Sequence, residues 1–179
     1  KNIPNYYDNQ TRLNAGLFEH KNSKKSIRII CVYVPNGSEI GSEKFTYKLN
    51  WFKSLIEMIE EEKMIYEKIC ILGDFNIAPS DIDVHDPKKW QDKILCSTDE
   101  RLLFERLLEQ DFFDSYRSIH EASKSFSWWD YRQASFRRNI GQTNVHIGKH
   151  RIGTDVAKLS ADIGSYVRSR PEHRGRHRF

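Results

Sequence analysis

Two short apolar segments, separated by a long amphipathic one, constrain the fold of this chain most. Residues 26–34 (SIRIICVYV) are β-branched and apolar at both odd and even positions, which is typical of a strand buried on both faces. Residues 42–65 carry apolar side chains at steps of three and four, which predicts a helix. Residues 68–73 read as a second buried strand. A strand, a helix and a strand, with further strands downstream, predict an α/β sandwich.

The remaining elements follow from local patterns. The long helix presents one apolar stripe and ends in a solvated run, residues 60–63. Ser97 and Glu100 have the spacing of a capping box, which predicts a second helix rich in leucine. Residues 13–18, 112–117 and 126–132 are strand-like. The predicted stripe consists of Phe45, Leu49, Phe52, Leu55, Ile56 and Ile59.

The pattern changes after Gly141, where hydrophobic periodicity is lost. Residues 146–179 hold eight Lys and Arg against three Asp and Glu, whereas residues 1–145 hold 21 against 22. The body is therefore close to neutral, and the net charge of +4 resides in the end of the chain. We predict a domain over 1–141 and a basic, aperiodic tail over 142–179, which a shifted reading frame or a DNA-binding arm would explain.

Composition excludes some classes of protein. A length of 179 residues fits one domain with a sizeable core. We expect no membrane span, because no apolar run approaches ~18 residues, and no signal peptide at the start. The three widely spaced cysteines, Cys31, Cys70 and Cys96, are expected to be buried free thiols in a reducing compartment.

The candidate chemistry lies where the two buried strands end. Asp74 and Asn76 follow the second strand and are two residues apart, so on an extended chain they share a face. A carboxylate and a carboxamide can hold a hard cation and a phosphate oxygen, which suits metal-assisted phosphodiester hydrolysis. A local Asx turn is the alternative. Tyr33 and Asn36 close the first strand and could contact a phosphate, although a buried tyrosine followed by a plain turn explains them as well.

Two further segments have open interpretations. Residues 126–132 (FSWWDYR) place Trp128 and Arg132 in an aromatic run that could stack on bases and contact phosphate, or form a core strand. Residues 81–86 hold three aspartates and a histidine but lack the spacing of a calcium loop. We expect that segment to be a solvated acidic loop.

Taken in order, these motifs identify a family. YVPNG, a helix beginning SEKFTYKLNW, ILGDFNIAPSDIDV, DSYR and FSWWDYR closely resemble the exonuclease III family of bacterial abasic-site endonucleases over about residues 1–141. The resemblance implies a four-layered α/β sandwich of the deoxyribonuclease I-like type, here incomplete at both ends. It also implies a DNA-repair phosphodiesterase that uses Mg²⁺, or Mn²⁺, to cleave double-stranded DNA at abasic sites and to remove 3′ nucleotides.

The resemblance also assigns roles. Asp74 matches the aspartate that activates water, and Asn76 matches the asparagine that binds phosphate and helps form the metal site. Tyr33 matches the tyrosine at the scissile phosphate. Asn36 matches a phosphate contact, and Trp128 matches an aromatic of the abasic-sugar pocket. The resemblance further implies a monomer in the bacterial cytoplasm, associated with the nucleoid and not with a membrane.

The chain departs from the family pattern at both ends. The family opens with a strand bearing an Asn and a Gln-Glu pair, whose glutamate is a metal ligand, and ends in Ser-Asp-His; neither has a counterpart here. The family's Arg-Ile-Asp run is also missing after Asn139-Ile140-Gly141. We therefore expect a truncated and frameshifted member with impaired activity. The rivals are a non-catalytic DNA-binding remnant and a lipid or inositol phosphate phosphodiesterase, which the aromatic run disfavours.

Overall fold

The computed structural model describes residues 3–4, 6–19, 25–118, 126, 128–129, 137–138, 141–142 and 147–149. A 3-10 turn, Asp81–Asp83, and a short helix interrupt the long loop before the second long helix. The helices are α1 (Glu43–Ile65), α2 (Pro87–Trp90) and α3 (Thr98–Leu108). The strands are β1 (Leu13–Glu19), β2 (Ser26–Tyr33), β3 (Ile69–Asp74), β4 (Phe112–Asp114), β5 (Trp128–Trp129), β6 (Gly141–Gln142) and β7 (Ile147–Lys149).

The described strands form a five-stranded sheet in the order β1-β2-β3-β7-β4 and a two-stranded sheet of β5 and β6. Strands β2 and β3 are parallel, and α1 makes the crossover between them. All other pairs are antiparallel. The predicted strand–helix–strand unit and the α/β class are confirmed, and they place the carboxyl ends of β2 and β3 at one edge of the sheet.

The main core lies between one face of this sheet and helices α1 and α3. From the sheet, Ile30 and Ile71 are fully buried. From α1, the predicted stripe is buried except that Leu49 is only partly covered, and Trp51 and Met58 join it. The capping box that begins α3 is also confirmed, because Ser97 Oγ accepts from the backbone N–H of Glu100 and Glu100 accepts from that of Ser97.

The opposite face of β2 corrects one prediction. The apolar run suggested a strand buried on both faces, but Cys31 and Tyr33 are exposed on the face that points away from α1. Cys31 is therefore not a buried thiol, whereas Cys70 and Cys96 are buried. Consecutive side chains of a strand point to opposite faces, so an apolar sequence does not guarantee that both faces are covered.

Two other expectations change. The strand predicted over 112–117 ends at Asp114, because the Asp114 carboxylate accepts from the backbone N–H groups of Tyr116 and Arg117 and turns the chain. In the predicted solvated end of α1, Glu62 is instead paired with Arg28 of β2 through two hydrogen bonds of 2.7 and 2.8 Å. That pair ties the C-terminal part of α1 to the sheet.

The boundary at residue 141 stays a prediction. Within 142–179 the structure describes residue 142 and β7, whose three residues pair with β3 and β4; the remainder lies outside the described residues. Of the segment 126–132, the structure describes β5 and residue 126. Among the helices of the described part, none is long and apolar enough to cross a bilayer.

Candidate active site

The ends of β2 and β3 bring the predicted site residues together. Tyr33 is the last residue of β2 and lies directly beside Asp74, the last residue of β3, in the parallel register. The backbone N–H of Val34 donates to the carbonyl of Asp74 at 2.9 Å, so the two strands stay paired up to the edge. Registered residues of neighbouring strands project to the same face, which places the phenol and the carboxylate side by side.

The turn after β3 has an unusual backbone. Gly73 has a φ of +132°, and a Cβ at this position would lie 1.9 Å from the Val32 carbonyl oxygen, so no other residue fits without displacement. Asn76 has a φ of +48°, which is uncommon outside glycine, although Asn tolerates it better than most residues. Between them Phe75 is fully buried, with its ring edge-on to Phe104 at a centroid distance of 6.0 Å. Phe75 therefore anchors a turn that presents Asp74 and Asn76 outward.

The side chains of Asp74 and Asn76 are held by local bonds. Asp74 Oδ1 accepts from the backbone N–H of Asn76 at 2.9 Å. This is the Asx turn that the sequence offered as the alternative to a functional pair. The two interpretations are compatible, because the turn engages one carboxylate oxygen and orients the other.

Asn36 and Asn76 form one unit across two loops. Asn36 Nδ2 donates to Asn76 Oδ1 at 3.2 Å, and Asn76 Nδ2 donates to the Val34 carbonyl at 2.8 Å. Asn36 Oδ1 also accepts from the backbone N–H of Ser38 at 3.2 Å. Each carboxamide has two N–H donors, so each retains one that can be offered to a phosphate oxygen.

Arg12 is a neighbour of the site that sequence reasoning missed. Its guanidinium carbon lies 5.1 Å from the centroid of the Tyr33 ring, and the Tyr33 N–H donates to the Arg12 carbonyl at 2.8 Å. The Tyr33 side chain is 53% exposed, so its hydroxyl can be reached from solvent. A cation over this ring adds positive charge where an anion would bind. No sequence signal marks Arg12, because it lies 21 residues before its neighbour.

A buried ion pair beneath the site was also missed. The side chains of Lys48 and Glu100 are 1% and 0% exposed, and Lys48 Nζ contacts a Glu100 carboxylate oxygen. Burial lowers the pKa of Lys48 from its ordinary value, and the carboxylate of Glu100 opposes that shift. Lys48 lies on α1 next to the apolar stripe, where a lysine would ordinarily reach solvent.

The acidic loop is only partly solvated, because Asp81 is exposed, as expected, whereas Asp83 is buried. Asp83 is 3% exposed, pairs with Arg117 and accepts from the Ser80 hydroxyl at 2.7 Å. Asp81 pairs with Arg101 at 3.0 Å, and Asp86 caps α2. The Asp83 pair holds the long loop against the residues that follow β4, and the Asp81 pair joins it to α3. No local sequence signal marks the Asp83 pair, because Arg117 lies 34 residues further along the chain.

The other predicted site residues are less fully described. Trp128 lies in β5, paired with Gln142, and its side chain is not described. Arg132 lies outside the described residues. The structure therefore brings Tyr33, Asn36 and Asp74 together with Asn76 at one edge. The roles of these four residues, like those of Trp128 and Arg132, stay predictions.

The donors at this edge match the ligand preferences of a divalent cation only in part. Among the described residues no cluster of three His, Cys, Asp or Glu could hold a metal. Asp74 and Asn76 offer a carboxylate and an amide oxygen, and Asn76 Oδ1 keeps a second lone pair beside its bond to Asn36. Mg²⁺ is typically held by one or two carboxylates together with waters and substrate phosphates. The donor chemistry fits such an ion as part of a shared site.

Comparison with known proteins identifies relatives over most of the chain. An exodeoxyribonuclease of Bacillus subtilis is 34% identical over 143 residues, which cover 78% of this chain and 56% of that protein. Exodeoxyribonuclease III of Haemophilus influenzae is 32% identical over 146 residues, covering 77% and 54%. The chain thus spans about half the length of the curated relatives it matches. No family model matches it.

The fold has solved counterparts as well. A variant of the 3′ phosphatase NExo from Neisseria, bound to a product DNA hairpin, superposes with a TM-score of 0.73 at 40% identity. The alignment covers 80% of this chain and 53% of that one. A likeness at this identity extends beyond fold to sequence, and the α/β architecture expected from the resemblance is confirmed.

Proposed function

We propose that the chain belongs to the exonuclease III family of abasic-site endonucleases, which its 34% and 32% identity to two bacterial exodeoxyribonucleases supports. We further propose that the complete protein is a DNA-repair phosphodiesterase that depends on a divalent metal. Its substrate is double-stranded DNA, which it cleaves at abasic sites and from which it removes 3′ nucleotides. The observation that carries the proposal is the meeting of Tyr33 and Asp74 on adjacent strand ends with the bonded pair of Asn36 and Asn76.

In the proposed reaction, water attacks phosphorus, a new P–O bond forms and one ester P–O bond breaks. The departing sugar oxygen takes up a proton from water and leaves as a hydroxyl group. Asp74 orients the water and accepts its proton, because its carboxylate is fixed by the Asn76 N–H at one oxygen. The hydroxyl of Tyr33 donates a hydrogen bond to the scissile phosphate. The remaining N–H groups of Asn36 and Asn76 hold the phosphate oxygens where charge develops. Asp74 and Asn76 would be among the residues that hold a Mg²⁺ or Mn²⁺ ion, which would supply further neutralisation of the charge on the phosphate.

Recognition of the substrate depends on the DNA backbone and its deformability, because an abasic site has no base edge to read. We assign Trp128 to the abasic-sugar pocket and Arg132 to a phosphate contact. Arg12 beside Tyr33 adds positive charge to the same edge. The proposal further includes a monomer acting in the bacterial cytoplasm at the nucleoid.

The activity of this 179-residue chain alone is proposed to be impaired. At the described edge, the oxygen donors that fit a metal come from Asp74 and Asn76, and a metal site of one carboxylate and one amide binds weakly. The chain therefore retains the elements that orient water and phosphate, with reduced metal affinity.

The experiment is incision of a duplex with one abasic site, under single-turnover conditions, with the chain in excess. We expect slow incision in Mg²⁺ that disappears in EDTA and in Asp74→Asn. Arg28→Met is the matched control, because it removes an ion pair remote from the site and should retain incision. DNA binding that survives Asp74→Asn, with no metal-dependent incision by the wild-type chain, would overturn the proposal in favour of a non-catalytic DNA-binding protein.

A further inference from the structure

The buried lysine of α1 lies directly behind the proposed site. Lys48 Nζ donates to the backbone carbonyl of Asn36 at 3.1 Å and to that of Asn76 at 2.6 Å, and its third partner is Glu100. An ammonium group has three N–H donors and no acceptor, so these three oxygens match its capacity. Both carbonyls belong to residues whose side chains form the bonded carboxamide pair.

Glu100 extends this connection to a third loop. Its Oε1 also accepts from the backbone N–H of Leu95 at 3.1 Å, and its Oε2 accepts from the N–H and the hydroxyl of Ser97 at 3.0 and 2.6 Å. The pair therefore joins α1, the start of α3 and the loops after β2 and β3. The contact between Lys48 and Glu100 is shielded from solvent, since both side chains are almost completely buried.

Stability alone does not account for a charge at this position. Replacing a buried ion pair with well-packed apolar residues is often neutral or stabilising, because desolvation offsets the attraction. An apolar side chain at position 48 would leave the carbonyls of Asn36 and Asn76 without this donor. Asn76 also has a φ of +48°, a conformation that persists only where the surroundings determine it.

We propose that Lys48 is a positioning residue, which fixes the backbones of Asn36 and Asn76 so that their carboxamides meet and face the phosphate. This inference rests on the proposed function, because the phosphate is the group that the carboxamides of Asn36 and Asn76 are proposed to hold. Packing supports it: a Cβ on Gly37 would lie 2.9 Å from Lys48 Cδ, so the Asn36 loop also rests on the lysine stem. Lys48 acts through two other residues and does not touch the substrate.

The test compares Lys48→Met with Arg28→Met in the full chain. Both remove the cation of a buried or half-buried ion pair between α1 and its surroundings, but Arg28 and Glu62 lie at the opposite end of β2. The first readout is the side-chain amide signals of Asn36 and Asn76 in ¹H–¹⁵N spectra, assigned with Asn36→Ala and Asn76→Ala. The second is the single-turnover rate constant for abasic incision.

We expect Lys48→Met to displace both amide signals and to slow incision about 10- to 100-fold, since misplacements near 1 Å have effects of that size. Arg28→Met should leave both readouts unchanged. Unmoved amide signals in a folded Lys48→Met chain would overturn the inference. If that variant fails to fold, Lys48→Arg replaces it, with Arg28→Lys as its control. A planar guanidinium cannot donate from one atom to the three acceptors that surround the lysine nitrogen, so the side-chain amide signals of Asn36 and Asn76 should still be displaced.

The two proposals fail separately. A wild-type chain that incises nothing would count against the proposed function, while the amide signals still decide the role of Lys48. Normal incision by Lys48→Met with unmoved signals would leave the proposed function standing and overturn the positioning role.

Discussion

Replacement of Gly73 by alanine should be far more destabilising than replacement of another glycine with positive φ. Gly73 has a φ of +132°, and a Cβ there would lie 1.9 Å from the carbonyl oxygen of Val32. That is about 1.4 Å short of an ordinary C···O contact of ~3.3 Å. The clash is with backbone in the register-fixed partner strand, so it cannot be relieved by rotating a side chain.

The magnitude follows from two contributions. The unfavourable φ costs ~1–3 kcal/mol, and overpacking against the fixed backbone adds a further ~1–3 kcal/mol. The sum, ~2–6 kcal/mol, is a large part of the ~5–15 kcal/mol that stabilises a typical domain. Gly41 is the matched control, because its φ is +82° and nothing lies within 4 Å of its Cβ position. Gly41→Ala should therefore lower the free energy of unfolding by only ~1–2 kcal/mol, which is the cost of a left-handed backbone conformation for an alanine.

Urea unfolding followed by far-ultraviolet circular dichroism measures both variants against the wild-type chain, with m compared as a check on the unfolded state. We expect Gly73→Ala to lose at least ~1 kcal/mol more than Gly41→Ala. Equal losses in the two variants would refute the close approach of β3 to β2 at Val32, and with it the geometry that places Asp74 beside Tyr33.

Other predictions concern stability, chemistry and coding sequence. Burial raises the pKa of Cys70 from 9.0 to about 11. Because the pKa is higher in the folded state, the thiol's contribution to the free energy of unfolding is present below pH 9 and is lost as pH rises towards 11. That contribution is ~2–3 kcal/mol. Cys70→Ala should flatten the unfolding free energy over that range, and an unchanged slope would contradict this. Arg117→Met should lower the free energy of unfolding by ~3–5 kcal/mol, because it leaves the carboxylate of Asp83, whose side chain is 4% exposed, buried without its cation. Arg101→Met should lower the free energy of unfolding by less than ~1 kcal/mol, since the side chain of Asp81 is 70% exposed. Similar urea midpoints for Arg117→Met and Arg101→Met would contradict the difference expected between the buried and the exposed pair. The coding DNA after codon 141, read in another frame, should encode an Arg-Ile-Asp run and a terminal Ser-Asp-His; their absence from both frames would exclude a frameshift.

The strand–helix–strand unit could be predicted because its signals are local. Apolar runs, helical spacing and the Ser97 capping box each lie within a few residues along the chain, and α1 and α3 begin where these signals place them. The adjacency of Tyr33 and Asp74 could also be inferred, because parallel strands joined by one helix end at the same edge.

The missed features depend on contacts between distant residues. Lys48 is 52 residues from Glu100, and Asp83 is 34 residues from Arg117. In a sequence, a charged side chain is expected to be solvated, and only the fold supplies the partner that allows it to be buried. The insertion of β7 between β3 and β4 is non-local for the same reason, since Ile147–Lys149 carries no periodic signal of its own.

Paramagnetic broadening by Mn²⁺ tests the location of the proposed site most directly. Substoichiometric Mn²⁺ added to the ¹⁵N-labelled chain should broaden the amide signals of Asn36 and Asn76 first, excess Mg²⁺ should restore them, and Asp74→Asn should abolish the effect. Signals of Arg28 at the far end of β2 should remain sharp. Broadening centred on the acidic loop around Asp81, or unchanged by Asp74→Asn, would contradict a metal site at the ends of β2 and β3.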